Sequence, residues 1–106
     1  MVVPSLYIAN NFPNFNERRL VVELDLSNKN LEGEISFEGF GFTNLQKINL
    51  SNNKLTKVFF TGHNNIKWLD ISNNQLKEID KGSYKFQNLE FGEILQNDFS
   101  FDFQKK

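Results

Sequence analysis

Catalysis by general acids, bases or nucleophiles needs partnered groups, and this chain of 106 residues offers few. Its one histidine, His63, sits in GHNN with no carboxylate or thiol beside it, and cysteine is absent. Disulfides, thiolate nucleophiles and Cys-type metal sites are thereby excluded. Gly39 and Gly41 in GFGFTN lack the third glycine of a dinucleotide loop and the GK[ST] of a phosphate loop. Asp70 and Glu93 could approach a cation together, but two carboxylates without further ligands make a poor Ca²⁺ site. No enzyme activity, metal or cofactor is expected. What remains is recognition chemistry, carried by the single tryptophan Trp68, by Phe91, and by charged and amide residues at matching offsets.

Those offsets come from an internal repeat. LQKINLSNNKL begins at Leu45 and IKWLDISNNQL at Ile66. Both put apolar residues at positions one, four, six and eleven and asparagine at nine. Leu45, Ile48, Leu50, Asn53 and Leu55 fill the first copy; Ile66, Leu69, Ile71, Asn74 and Leu76 fill the second. Upstream, VVELDLSNKNL supplies Val21, Leu24, Leu26 and Leu31, with Lys29 at the asparagine position. Downstream, LEFGEILQNDF supplies Leu89, Ile94, Asn97 and Phe99, with Gly92 in an apolar slot. The four starts are 24, 21 and 23 residues apart. Alternation at Ile48-Asn49-Leu50 and Leu69-Asp70-Ile71 predicts short strands with one side chain inward and the next outward. The segment between Leu55 and Ile66 is too short for a helical crossover with its turns, so the return is expected to be extended, turned or a short 3₁₀ piece.

This unit resembles the LxxLxLxxNxL phrase of the leucine-rich repeat family, over roughly residues 20 to 103. The resemblance implies an α/β-type repeat solenoid: a right-handed coil with short parallel strands on a concave face, extended or 3₁₀ segments on the convex side, and little true helix. Residues 1–20 would be an N-terminal segment, either a degenerate earlier copy (Val3, Leu6, Ile8, Asn11) or a cap. Residues 21–103 would hold about four repeats, and 104–106 a tail. NLEGEI resembles the LxGxI phrase of plant-type repeats. Asn53, Asn74 and Asn97 are expected to form a buried structural ladder, each amide bonding to backbone of neighbouring coils. Ile35, Phe42, Val58, Phe59, Phe60, Ile79 and Phe86 are expected to be the second wall of the core. Lys29 interrupts the ladder, so its loss should matter far less than loss of Asn53 or Asn74.

In this register the outward strand positions form columns. One column reads Glu23, Lys47, Trp68, Phe91 and the next Asp25, Asn49, Asp70, Glu93. Behind them Ser27, Ser51, Ser72 and Leu95, then Asn28, Asn52, Asn73 and Gln96, are uniform enough to serve the turns through local bonds. The first two columns vary, and exposed Trp68 and Phe91 are the residue types that anchor protein interfaces. The expected function is protein–protein interaction through the concave face, with the acidic column favouring a partner with a basic patch. A one-residue slip in the fourth copy would turn Phe91 and Leu95 into core instead. The alternative function is a stacking segment of a longer solenoid or of a multidomain signalling protein, self-associating through coil ends near Leu95, Phe99, Phe101 and Phe103. A formal net charge of -1 gives no reason to expect nucleic acid or an anionic membrane. Without an apolar run of spanning length or a secretory-type start, a cytoplasmic location is the default expectation.

Overall fold

The computed structural model describes residues 2–37, 39–60 and 65–77, and the backbone of 91–93. Among the described residues there are six strands: β1 (Glu23–Asp25), β2 (Glu32–Ser36), β3 (Lys47–Asn49), β4 (Lys54–Phe59), β5 (Trp68–Asp70) and β6 (Phe91–Glu93). β1, β3, β5 and β6 lie side by side, in that order, as one parallel sheet. β2 and β4 form a second, parallel pair. From β1 to β5 the chain passes alternately through the two sheets, so the repeats starting at Val21 and Leu45 each contribute to both.

The core lies between the sheets. In every strand of the first sheet for which burial is described, the middle residue is buried and its neighbours face outward: Leu24, Ile48 and Leu69. Leu26, Leu50 and Ile71, two residues on, are buried as well, as strand periodicity requires. Leu31, Ile35, Phe37, Phe42, Leu55, Val58 and Phe60 close the core from the other side. Phe37 and Phe60 stack with ring centroids 5.4 Å apart. Phe42 meets Phe12 edge-on at 5.5 Å. Phe59 is only half-buried, and Ile79 and Phe86 lie outside the described residues.

Of the three forms expected for the return path, extended, turned or 3₁₀, the extended one is found in β2 and β4, and these segments further pair into the second sheet, which was not expected. The reason lies in NLEGEI. Gly33 takes φ +84°, a conformation that side-chain-bearing residues seldom adopt. The register shifts at that point, so that Gly33 faces Leu55 while Glu34 faces Lys57, leaving Thr56 as an extra residue on β4. That bulge allows Leu55 and Val58, three residues apart, both to point into the core.

The N-terminal segment is not strand-like. Residues placed in register as an earlier copy instead lie mostly in α1 (Pro4–Asn11), with Pro4 pre-setting its first turn. Ile8 is fully buried, but Leu6 is 60% exposed, which a repeat position would not be. A short α2 (Phe15–Arg18) follows, its Asn14 side chain accepting from the Asn16 amide. Val2 bridges in parallel to Leu31, donating to the Asn30 carbonyl and accepting from the Glu32 amide, so the segment starts on the edge of β2. Arg18 holds the segment's other end. Its Nε donates to the Phe12 carbonyl at 2.8 Å and its Nη1 to the Phe40 carbonyl at 3.1 Å, and it lies 5.4 Å from the Phe15 ring and 6.0 Å from that of Phe42.

Candidate functional site

The turns that follow the strands of the first sheet share one construction. Asp25 Oδ1 accepts from the Ser27 amide at 2.9 Å and from its hydroxyl at 2.6 Å. Asn49 does the same for Ser51, and Asp70 for Ser72. The next residue, Asn28, Asn52 or Asn73, takes φ of 55°, 58° and 55°, which asparagine tolerates better than most residues. SNN therefore has three separate tasks. Serine closes the turn, the first asparagine makes the left-handed step, and the second turns inward.

The inward asparagines bridge coils. Asn53 Nδ2 has the carbonyls of Leu26, Leu50 and Ser51 within 3.2 Å, and its Oδ1 accepts from the amides of Lys29 and Leu31. Asn74 Nδ2 reaches the carbonyls of Leu50, Ile71 and Ser72, and its Oδ1 accepts from Leu55. Each side chain thus satisfies backbone of its own turn and of the turn before. Lys29 at the same position is exposed, and its backbone is served by Asn53. Asn97 lies outside the described residues.

With the turns fixed, the sheet's outer face is set. Glu23, Lys47, Trp68 and Phe91 are consecutive Cα partners, as are Asp25, Asn49, Asp70 and Glu93. The strand of the fourth copy therefore pairs without a slip, Leu69 standing opposite Gly92. Glu23, Asp25 and Lys47 are exposed, and Trp68, Asn49 and Asp70 half-buried. Lys47 and Trp68 are brought together most closely: the ammonium lies 4.7 Å from the ring centroid. A depression of about 420 Å³ opens between these residues, lined by Glu23, Leu24, Asp25, Lys47, Asn49 and Trp68.

Two features of this face were not legible as read above. The Asp/Asn column is no free selector, because one oxygen of each of Asp25, Asn49 and Asp70 is committed to its turn; only the remaining polar atom faces outward. The signal was present as an acceptor two residues before a serine in all three copies. The second feature is the lysine on the tryptophan, which no single repeat could reveal. Asp25 is also shifted electrostatically. The Ser27 hydroxyl, then the Ser27 amide, with smaller help from Lys29 and Lys47, hold its carboxyl below the usual aspartate range against a small opposing cost of burial.

Asn49-Leu50-Ser51 has the form of an N-glycosylation acceptor, but it lies in this turn with Leu50 wholly buried and the Asn49 and Ser51 side chains bonded to each other. Among the described residues there is no cluster of three or more metal-ligating side chains, and no helix long and apolar enough to cross a membrane. His63 lies outside them. A second depression, about 370 Å³, runs beside α2 from Asn11 to Val21.

Comparison with known families agrees with the register. Residues 44–63 and 65–89 match the family described as Leucine Rich Repeat, each match starting one residue ahead of a repeat start assigned above. No curated protein and no solved structure gives a significant match.

Proposed function

Because this chain belongs to the leucine-rich repeat family, whose repeats are generally protein-interaction modules, we propose that it binds a protein partner through the outer face of its four-stranded sheet. The observation that carries this reading is the contrast within each repeat. The turn residues are nearly invariant from copy to copy and are consumed by backbone bonds, while the strand residues beside them change identity and point outward. Successive copies wind as one short solenoid, capped at its start by residues 1–20. The coil presents the changing side chains at fixed strand spacing, so little conformational entropy is lost on contact. Trp68 is the anchor, with Phe91 on the neighbouring strand extending the apolar area. Glu23, Asp25, Asp70 and Glu93 favour a basic partner surface.

Affinity capture from native lysate tests this with the wild type against Trp68→Ser/Asp70→Asn, after matched folding by circular dichroism. Asn at position 70 keeps the Oδ1 that closes the turn, as Asn49 does in the preceding copy. A protein captured by the wild type alone supports the reading. Identical captures reject this face and favour contacts made through the coil ends of a longer solenoid.

A further inference from the structure

The depression on the sheet face has an unequal charge distribution. Two carboxylates, Glu23 and Asp25, stand on its first strand, and one ammonium, Lys47, on the second. Lys47 has Glu23 on one side and Trp68 on the other as cross-strand partners. Its ammonium rests against Trp68, 4.7 Å from the ring centroid. Among the described residues Glu23 makes no ion pair, while Lys54 and Glu32 on the other sheet do, at 3.8 Å. Asp25 spends one oxygen on Ser27, leaving the second toward solvent. The face therefore combines an aromatic surface that already attracts a cation with carboxylate charge left over beside it.

We propose that this depression takes one arginine side chain of an extended segment of the protein partner, its guanidinium stacking on Trp68 and donating to Glu23 and Asp25. The inference rests on the binding role proposed above and names the group that is bound. A planar guanidinium suits the site better than an ammonium, because it can lie flat on an aromatic ring while its N–H edge pairs with carboxylates. Lys47 then acts as an internal occupant. In the free protein it covers the tryptophan, and on binding it is displaced toward solvent. A depression of about 420 Å³ accepts one long side chain, so the rest of the segment lies across the sheet.

Trp68 is the chain's single tryptophan, so its fluorescence reports on this site alone. The probes are acetyl-Gly-Arg-Gly-Arg-Gly-amide and the same peptide with lysine or with uncharged citrulline in place of arginine. The arginine peptide should change the emission saturably and bind about threefold tighter than the lysine peptide, with citrulline weakest. Glu23→Gln/Asp25→Asn should weaken it about fivefold, the size expected of two exposed ion pairs. Lys47→Gln should tighten it about threefold by removing the competing cation, whereas Lys29→Gln, another lysine near Asp25, should leave it unchanged. No saturable response, equal binding of the citrulline peptide, an unaffected double variant, or weaker binding by Lys47→Gln would each overturn the proposal. So would emission that depends on protein concentration without peptide, which would put a second copy on this face. If the peptides fail while partner capture still depends on Trp68, the binding face stands and the arginine assignment alone falls.

Discussion

The first and second turns of the coil, residues 26–31 and 50–55, differ at two places, Lys29 against Asn53 and Asn30 against Lys54, and Asn30 adds a second left-handed step that Lys54 does not make. Both begin and end on buried leucines, and both carry a left-handed asparagine, Asn28 or Asn52. At the next position one has an exposed lysine and the other an asparagine that is 7% exposed. The difference shows that the ladder has a direction. Asn53 reaches back to the first turn and accepts from the amides of Lys29 and Leu31, so the first turn borrows its satisfaction from the second. Before the first turn stands the N-terminal segment, whose link is the main-chain pairing of Val2 with Asn30 and Glu32. An asparagine at position 29 would have no preceding copy to serve.

Substitutions can break that comparison. Asn53→Ala should cost the most, about 3 kcal/mol in urea unfolding, since it strands two backbone amides and several carbonyls between turns. Asn74→Ala should follow at about 2 kcal/mol, because it strands the Leu55 amide and shares the Leu50 carbonyl with Asn53. If the two rank in reverse, the first turn is held by something other than its successor.

A smaller effect comes from the turn itself. Asp25 has its carboxyl held below the usual range in the folded state, so its contribution is present above that range and is lost as the pH falls through the folded value. Unfolding stability followed into acid should therefore decline less steeply in Asp25→Asn, which keeps the oxygen that Ser27 uses. Parallel acid profiles for the two proteins would remove Asp25 from the account. Lys29→Ala should change stability by no more than about 0.5 kcal/mol, as its side chain is exposed and its backbone amide stays bonded to Asn53. A loss comparable with that of Asn53→Ala would mean that the ladder begins one turn earlier than the hydrogen bonds indicate.

The strands β1, β3 and β5 and their register could be read directly from the residues, because a period of two in side-chain direction and a near-constant spacing leave one arrangement in which Leu24, Ile48 and Leu69 all point inward, whereas Gly92 left the register of β6 open. Asn53 and Asn74 were legible for a related reason: an amide between buried leucines must find backbone partners. The second sheet was not. Its pairing depends on Gly33 and the extra residue Thr56 falling opposite each other, which is a relation between coils. The helix at Pro4–Asn11 was also missed, since Val3, Leu6 and Ile8 fit a strand period as well as a helical one over so short a stretch. In the candidate site, the identities of the outward residues were readable. Their partners were not.

By itself the sequence determined the repeat, the inward and outward assignment of the residues of β1, β3 and β5, and the need for a buried amide in each regular turn. These follow from local stereochemistry and from the cost of leaving apolar or polar groups in the wrong surroundings, which act the same way in every copy. Tertiary structure alone decided that Asp25, Asn49 and Asp70 each give up an oxygen to a serine and that the return segments pair. It alone placed Lys47 on Trp68, with Glu23 on its other side making no ion pair among the described residues. Lys47 and Trp68 are 21 residues apart in the chain. Only the stacking of one coil on the next brings them within reach, and which of two flanking partners a flexible lysine takes is settled by three-dimensional distance and solvation, quantities that no single repeat contains.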